Sequence, residues 1–265
     1  MCCLASLIPW VALSLGACSS PTQKADSLAQ HFGFRKTIVG GDGFRHVLYE
    51  NTKPAHDGVL HIYIDGDGTP YADFTSRAAD PTPHNLLMFR LMARDPADSV
   101  YVGRPCYFAL QHDSVCKPTF WTTARYGPQV LASMEAVLRA ETMRHAAKRL
   151  EIFGLSGGGV IAVLLAQRID AVARVVTIGS NLDIDAWCDL HHYSRLVGSI
   201  NPVEQPPLRS NIDVLHLVGK LDTNTPPYLV QAAARQRGEQ VRIVENFDHG
   251  CCWEKLWPTV LSDSP

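Results

Sequence analysis

Gly154-Leu155-Ser156-Gly157-Gly158 is the stretch on which the reading of this chain turns. It follows an apolar run at residues 150–153 and opens the helix-forming sequence of residues 160–168. The form G-x-S-x-G between a strand and a helix is that of a nucleophile elbow. The turn is so tight that only residues without side chains fit beside the serine, which leaves the hydroxyl raised above the sheet. A serine hydroxyl is a poor nucleophile at neutral pH and needs a base within hydrogen-bond reach, a task suited to imidazole. An acid on the far side of the ring fixes its tautomer and stabilises the imidazolium as it forms.

Two downstream stretches supply candidates. Residues 215–222 form an apolar run that ends at Asp222, and residues 244–250 carry Phe247-Asp248-His249-Gly250 just past another. Among eleven histidines, His249 is the candidate base. Asp222 is the candidate acid, with Asp183, Asp185 and Asp189, after the preceding strand, as alternatives.

The rest of the chain is read around these points. Residues 35–39 and 46–50 flank Gly40-Gly41-Asp42-Gly43 and predict a hairpin. Residues 58–64 predict a central strand. Further strands are expected at 100–102, 174–178, 213–218 and 240–244, and helices at 26–32, 83–93, 129–147, 227–236 and 252–257. Strand and helix alternate from residue 62 onward, the pattern of a mostly parallel sheet with helices on both faces. The connection 179–211, with Trp187, His191, His192 and Tyr193, lies where a small cap would sit over the serine.

At 265 residues the chain fits one such domain. Its formal net charge of −2 forms no basic stripe, so nucleic acid is not an expected partner. Residues 2–17 are apolar and uncharged, too short to span a bilayer as a helix, and read as a secretory signal. Leu15-Gly16-Ala17-Cys18 resembles the bacterial lipobox, and the resemblance implies cleavage before Cys18 and acylation of its thiol. The expected organisation is a signal peptide at 1–17, a tether at 18–25 and one domain at 26–265, anchored to a membrane of the bacterial cell envelope. Outside the cytosol thiols tend to pair. Cys106 and Cys116 enclose a short loop and are expected to bridge; Cys188 is expected to pair with one of the vicinal Cys251 and Cys252, leaving one thiol over. No metal site or cofactor is expected, since neither a C-x-x-C pair nor histidines at ligand spacing are present.

With these segments in view, the chain resembles the α/β-hydrolase superfamily, and is most similar within it to small bacterial lipoproteins. The likeness is carried by residues 64–68 (Ile-Asp-Gly-Asp-Gly), 80–83 (Asp-Pro-Thr-Pro), 103–106 (Gly-Arg-Pro-Cys), 121–125 (Trp-Thr-Thr-Ala-Arg), 154–158 and 247–253 (Phe-Asp-His-Gly-Cys-Cys-Trp). The order Ser156, Asp222, His249 is the one that superfamily uses. The resemblance implies an α/β-hydrolase fold and a serine hydrolase apparatus, with a small-molecule ester as the expected substrate. It also implies an oxyanion hole built from the backbone N–H groups of Gly157 and Asp67, the latter with its carboxylate turned away from the developing charge. Two rival readings are weaker. A hydrolase fold can serve as a non-catalytic envelope scaffold. The run Gly157-Gly158-Gly159-Val160-Ile161-Ala162 also fits a dinucleotide fingerprint, although the next strand ends without an acidic residue.

Overall fold

A computed structural model describes residues 19–51, 53, 58–73 and 75–263. The expected signal peptide at 1–17 and the acylated Cys18 lie outside the described residues. An eight-stranded sheet runs in the order β1-β2-β4-β3-β5-β6-β7-β8. The hairpin of β1 (Arg35–Gly40) and β2 (Arg45–Asn51) forms one edge, and β2 also pairs antiparallel with β4 (Ser99–Val102). All further pairings are parallel, through β3 (Val59–Ile64), β5 (Arg149–Leu155), β6 (Val172–Ile178), β7 (Asp213–Gly219) and β8 (Gln240–Val244).

Parallel strands buried on both faces read as continuous apolar runs, and β4 is buried at every position. Alternate residues of the inner strands β2 to β7 feed two cores. On one face Leu150, Ile152 and Val175 meet α3 (Pro128–Arg144), α4 (Gly157–Ala166) and α6 (Pro227–Arg237). On the other, Phe153, Leu155, Val176 and Leu217 meet α1 (Pro21–Phe32), α2 (Leu87–Met92) and α7 (Trp253–Ser262), whose Trp253 and Trp257 are fully buried. Helix α4 is buried at all its residues, so the elbow helix sits at the centre of the domain.

Three expectations are corrected. The segment read as a tether is largely helix: Ser20 caps α1, its hydroxyl accepting from Gln23 N–H while the Gln23 side chain accepts from Ser20 N–H. Asp26, expected as the cap, instead binds Lys36 and the Tyr49 hydroxyl. The helix expected over 83–93 begins only at Leu87: Leu86, with φ −87° and ψ 53°, stands outside the helical conformation, and the chain before it is tied to neighbouring loops. Gly68 packs on the Pro81 carbonyl, and the Thr82 hydroxyl accepts from Phe108 N–H.

Cys106 and Cys116 form a disulfide. The expected pairing of Cys188 with Cys251 or Cys252 does not form, and Cys252 is instead bonded to its neighbour Cys251. Cys188 is a free, buried thiol on α5 (Ile184–His191) in the α3/α4 core, whereas Cys251 and Cys252 lie in the turn between β8 and α7, outside that core. Among the described residues, no helix is long and apolar enough to cross a membrane.

Candidate active site

Ser156 stands between β5 and α4 with φ 50° and ψ −122°, a backbone conformation that a side-chain-bearing residue adopts only under constraint. The flanking glycines supply it. A Cβ at Gly154 would fall 2.5 Å from the Gly158 carbonyl, and one at Gly158 would fall 2.3 Å from that of Ile64. The elbow packs so closely on itself and on β3 that neither position has room for a methyl group. Ser156 N–H donates to Ile178 O at 2.8 Å, which ties the serine to the end of β6.

The residue after Ile178 is the link to the other two groups. A Cβ at Gly179 would lie 2.7 Å from Asp222 Oδ2 and 3.0 Å from His249 Nδ1. Asp222 follows β7 and is 2% exposed; its Oδ2 lies 2.8 Å from His249 Nδ1, and its Oδ1 accepts from the N–H groups of Asn224 and Thr225. An ionised carboxylate only accepts, so the ring proton sits on Nδ1 and the lone pair of the neutral ring is on Nε2. His249 follows β8, in a turn where Asp248 Oδ1 accepts from Gly250 and Cys251 N–H. The alternative acids are engaged elsewhere: Asp183 caps α5, and Asp185 and Asp189 pair with Arg195.

The loop after β3 crosses the elbow. A Cβ at Gly66 would contact Ser156 Cβ at 3.4 Å, and one at Gly157 would lie 2.1 Å from Asp67 Oδ1. The Asp67 carboxylate is turned into a cluster absent from the sequence reading. Oδ1 accepts from Arg104 Nη1 at 2.6 Å, and Oδ2 from Arg125 Nη1 at 2.7 Å and the Tyr126 hydroxyl at 2.6 Å; the Asp67 carbonyl accepts from the Tyr107 hydroxyl at 2.9 Å. Burial works to raise this carboxyl, but the guanidiniums of Arg125 and Arg104 outweigh it and bring it down to about 2. Two buried arginines against one aspartate leave a net positive charge beside the elbow. Asp65 behaves oppositely: burial pushes its carboxyl up to about 7, and its Oδ2 has no hydrogen-bond partner.

The same packing bears on the dinucleotide fingerprint. Asp67 Oδ1 stands against Gly157, the Ile64 carbonyl against Gly158, and Ser180 Oγ 1.9 Å from a Cβ placed on Gly159. Each oxygen stands where a side chain would begin, so close packing accounts for all three glycines without a bound phosphate.

Arg104, Arg125, Tyr107, Tyr126 and Asn224 escaped assignment from sequence. The only signal was two arginines in the 103–106 and 121–125 motifs with no visible partner. Cap helix α5 reaches the site through Trp187 Nε1 and His191 Nε2, both against the Asn224 carbonyl, at 3.0 and 2.7 Å.

No protein-family model matches the chain, and no curated protein matches it. Solved structures do resemble it. An alpha-beta serine hydrolase homologue from Coxiella burnetii is 12% identical, with a TM-score of 0.60 over 87% of this chain and 97% of that one. A Pyrococcus furiosus esterase is 12% identical, with a TM-score of 0.63 over 88% and 91%. A Mycobacterium tuberculosis puromycin-hydrolyzing peptidase is 15% identical, with a TM-score of 0.60 over 87% of this chain and 39% of that one. At such identities the likeness is one of fold.

Proposed function

Since the chain has the α/β-hydrolase fold, we propose that it is a serine hydrolase cleaving small or medium carboxylic esters through an acyl-enzyme. The observation that carries this reading is the buried Asp222 carboxylate on Nδ1 of His249, with both against Gly179 at the strand end to which Ser156 N–H is bound. Ser156 Oγ attacks the ester carbonyl while its proton passes to His249 Nε2, and Asp222 stabilises the imidazolium. The N–H groups of Gly157 and Asp67 receive the oxyanion. As the tetrahedral intermediate collapses, the C–O bond breaks and Nε2 returns the proton to the departing alcohol. Water then repeats the sequence on the acyl-enzyme and releases the acid and Ser156.

The cluster on Asp67 supports its part in this scheme. Anchoring both carboxylate oxygens and the carbonyl fixes the residue, and Arg104 and Arg125 offset the negative charge that stands beside Gly157. Ser156→Ala is expected to abolish turnover of a short-chain nitrophenyl ester while circular dichroism stays unchanged; undiminished turnover would reject the assignment. The esterase and peptidase among the structural neighbours act on different bonds, so a panel of esters, thioesters and amides tests the preference for esters. Anchoring at the bacterial cell envelope through acylated Cys18 belongs to the same proposal. Metabolic labelling with a fatty acid tests it, and label that persists in Cys18→Ala would refute it.

A further inference from the structure

The His249 lone pair needed by Ser156 is already in use. With Asp222 on Nδ1, Nε2 can only accept, and the Asn224 side-chain amide nitrogen lies 3.1 Å from it. An amide nitrogen only donates, so the contact is Nδ2–H···Nε2. Among the described residues, Ser156 Oγ makes no hydrogen bond. One lone pair serves one strong donor, and here the donor is the amide and not the hydroxyl.

Asn224 is held in this place from two sides. Its N–H donates to Asp222 Oδ1 at 2.9 Å, the carboxylate that also holds His249. Its carbonyl accepts from Trp187 and His191 of the cap helix. Those two rings and Tyr193 form a mutual cluster, with centroids 5.2 to 5.3 Å apart, and Tyr193 is 53% exposed. A ligand resting on this aromatic cluster therefore bears on the residue that occupies Nε2.

We propose that Asn224 is a positioning residue: it occupies Nε2 of His249 in the substrate-free protein, the cap holds it there through Trp187 and His191, and it gives way to the Ser156 hydroxyl when substrate settles against the aromatic cluster. Only hydrogen bonds are exchanged in this step. The inference rests on His249 acting as the base for Ser156.

The test uses a fluorophosphonate probe on the full protein, together with the imidazole nitrogen resonances of His249. Asn224→Ala is expected to raise the second-order rate of Ser156 labelling about fivefold, as for removal of one neutral competing hydrogen bond. It is also expected to move the Nε2 resonance toward that of a free lone pair. Trp187→Phe and His191→Phe keep the ring packing and remove the donors; each is expected to give part of that rise alone and none in the Asn224→Ala background. These two variants also carry the test if Asn224→Ala does not fold. Unchanged or slower labelling of Asn224→Ala, or an unmoved Nε2 resonance, overturns the proposal and leaves the hydrolase reading standing. Failure of the wild-type protein to be labelled at Ser156 overturns the hydrolase reading, and this one with it.

Discussion

Asp67→Asn keeps the size of the side chain and removes its charge, and the structure allows the consequence to be worked out. The wild-type carboxylate accepts from Arg104, Arg125 and Tyr126, and the two arginines are only 3% and 5% exposed. An amide offers one acceptor oxygen in place of two and turns an NH2 group toward a donor. Two buried guanidiniums would lose their counter-charge. Removing one partner of a buried ion pair costs about 3–5 kcal/mol. The titration of Asp67 gives a second figure: lowering the carboxyl from 3.8 to about 2 corresponds to about 2 kcal/mol between its charged and neutral forms. The substitution is expected at the larger value, because the amide adds a donor-to-donor contact that a protonated acid can avoid by placing its proton elsewhere.

The pH dependence has a definite sign. A carboxyl lowered on folding contributes stability above the unfolded value near 4, and that stability is lost as pH falls through about 2. Urea titrations followed by tryptophan fluorescence at pH 7 and at pH 3 should therefore show a wild-type loss on the acid side that Asp67→Asn lacks. Turnover of the nitrophenyl ester is expected to fall by up to about 10²–10³-fold, the loss seen when one oxyanion donor is removed. A variant within about 1 kcal/mol of wild type at pH 7, with the same acid limb, would refute the claim that this carboxylate holds the cluster together.

Asp65 should show the opposite pH dependence. Its carboxyl is raised to about 7 by burial, so the stability linked to its protonated form is complete below about pH 4 and lost as pH rises through 7. Asp65→Asn keeps the acceptor for Gly66 N–H and is expected to be more stable than wild type at pH 8 by on the order of a few kcal/mol, with the gain vanishing at pH 4; urea midpoints at the two pH values check this. Asp222→Asn is expected to lower turnover by about 10⁴-fold with little change in KM, because the amide favours the wrong imidazole tautomer, and steady-state kinetics on the nitrophenyl ester decide it. Burial raises the Cys188 thiol, so protein lacking residues 1–18 should resist a thiol-reactive chromogen while folded and release one equivalent of colour in guanidinium. A folded protein that reacts at once would contradict the placement of Cys188 in the α3/α4 core.

How much of this was legible beforehand follows from the range of the forces involved. The strand–turn–helix at Ser156 was readable because its cause is local: glycines within two residues of the serine are what the strained backbone requires. The parallel sheet was readable from apolar runs alternating with helical segments, and the positions of Asp222 and His249 from where such runs end. The start of α1 is local as well: the Ser20–Gln23 capping box begins a helix inside the expected tether.

Tertiary structure alone decided what depends on contacts between distant parts of the chain. Arg104 and Arg125 lie 37 and 58 residues from Asp67, and no periodicity announces that they will neutralise it. Cysteine count allows Cys188 and Cys252 to pair, yet Cys188 is buried in the α3/α4 core and the neighbouring Cys251 takes the bond to Cys252. Nothing in the sequence marks Asn224, and only folding brings its amide onto His249 Nε2 and the cap onto its carbonyl. Backbone conformation is set by neighbours in the chain, whereas the pairing of charges, thiols and hydrogen-bonding groups is set by which surfaces the fold presses together.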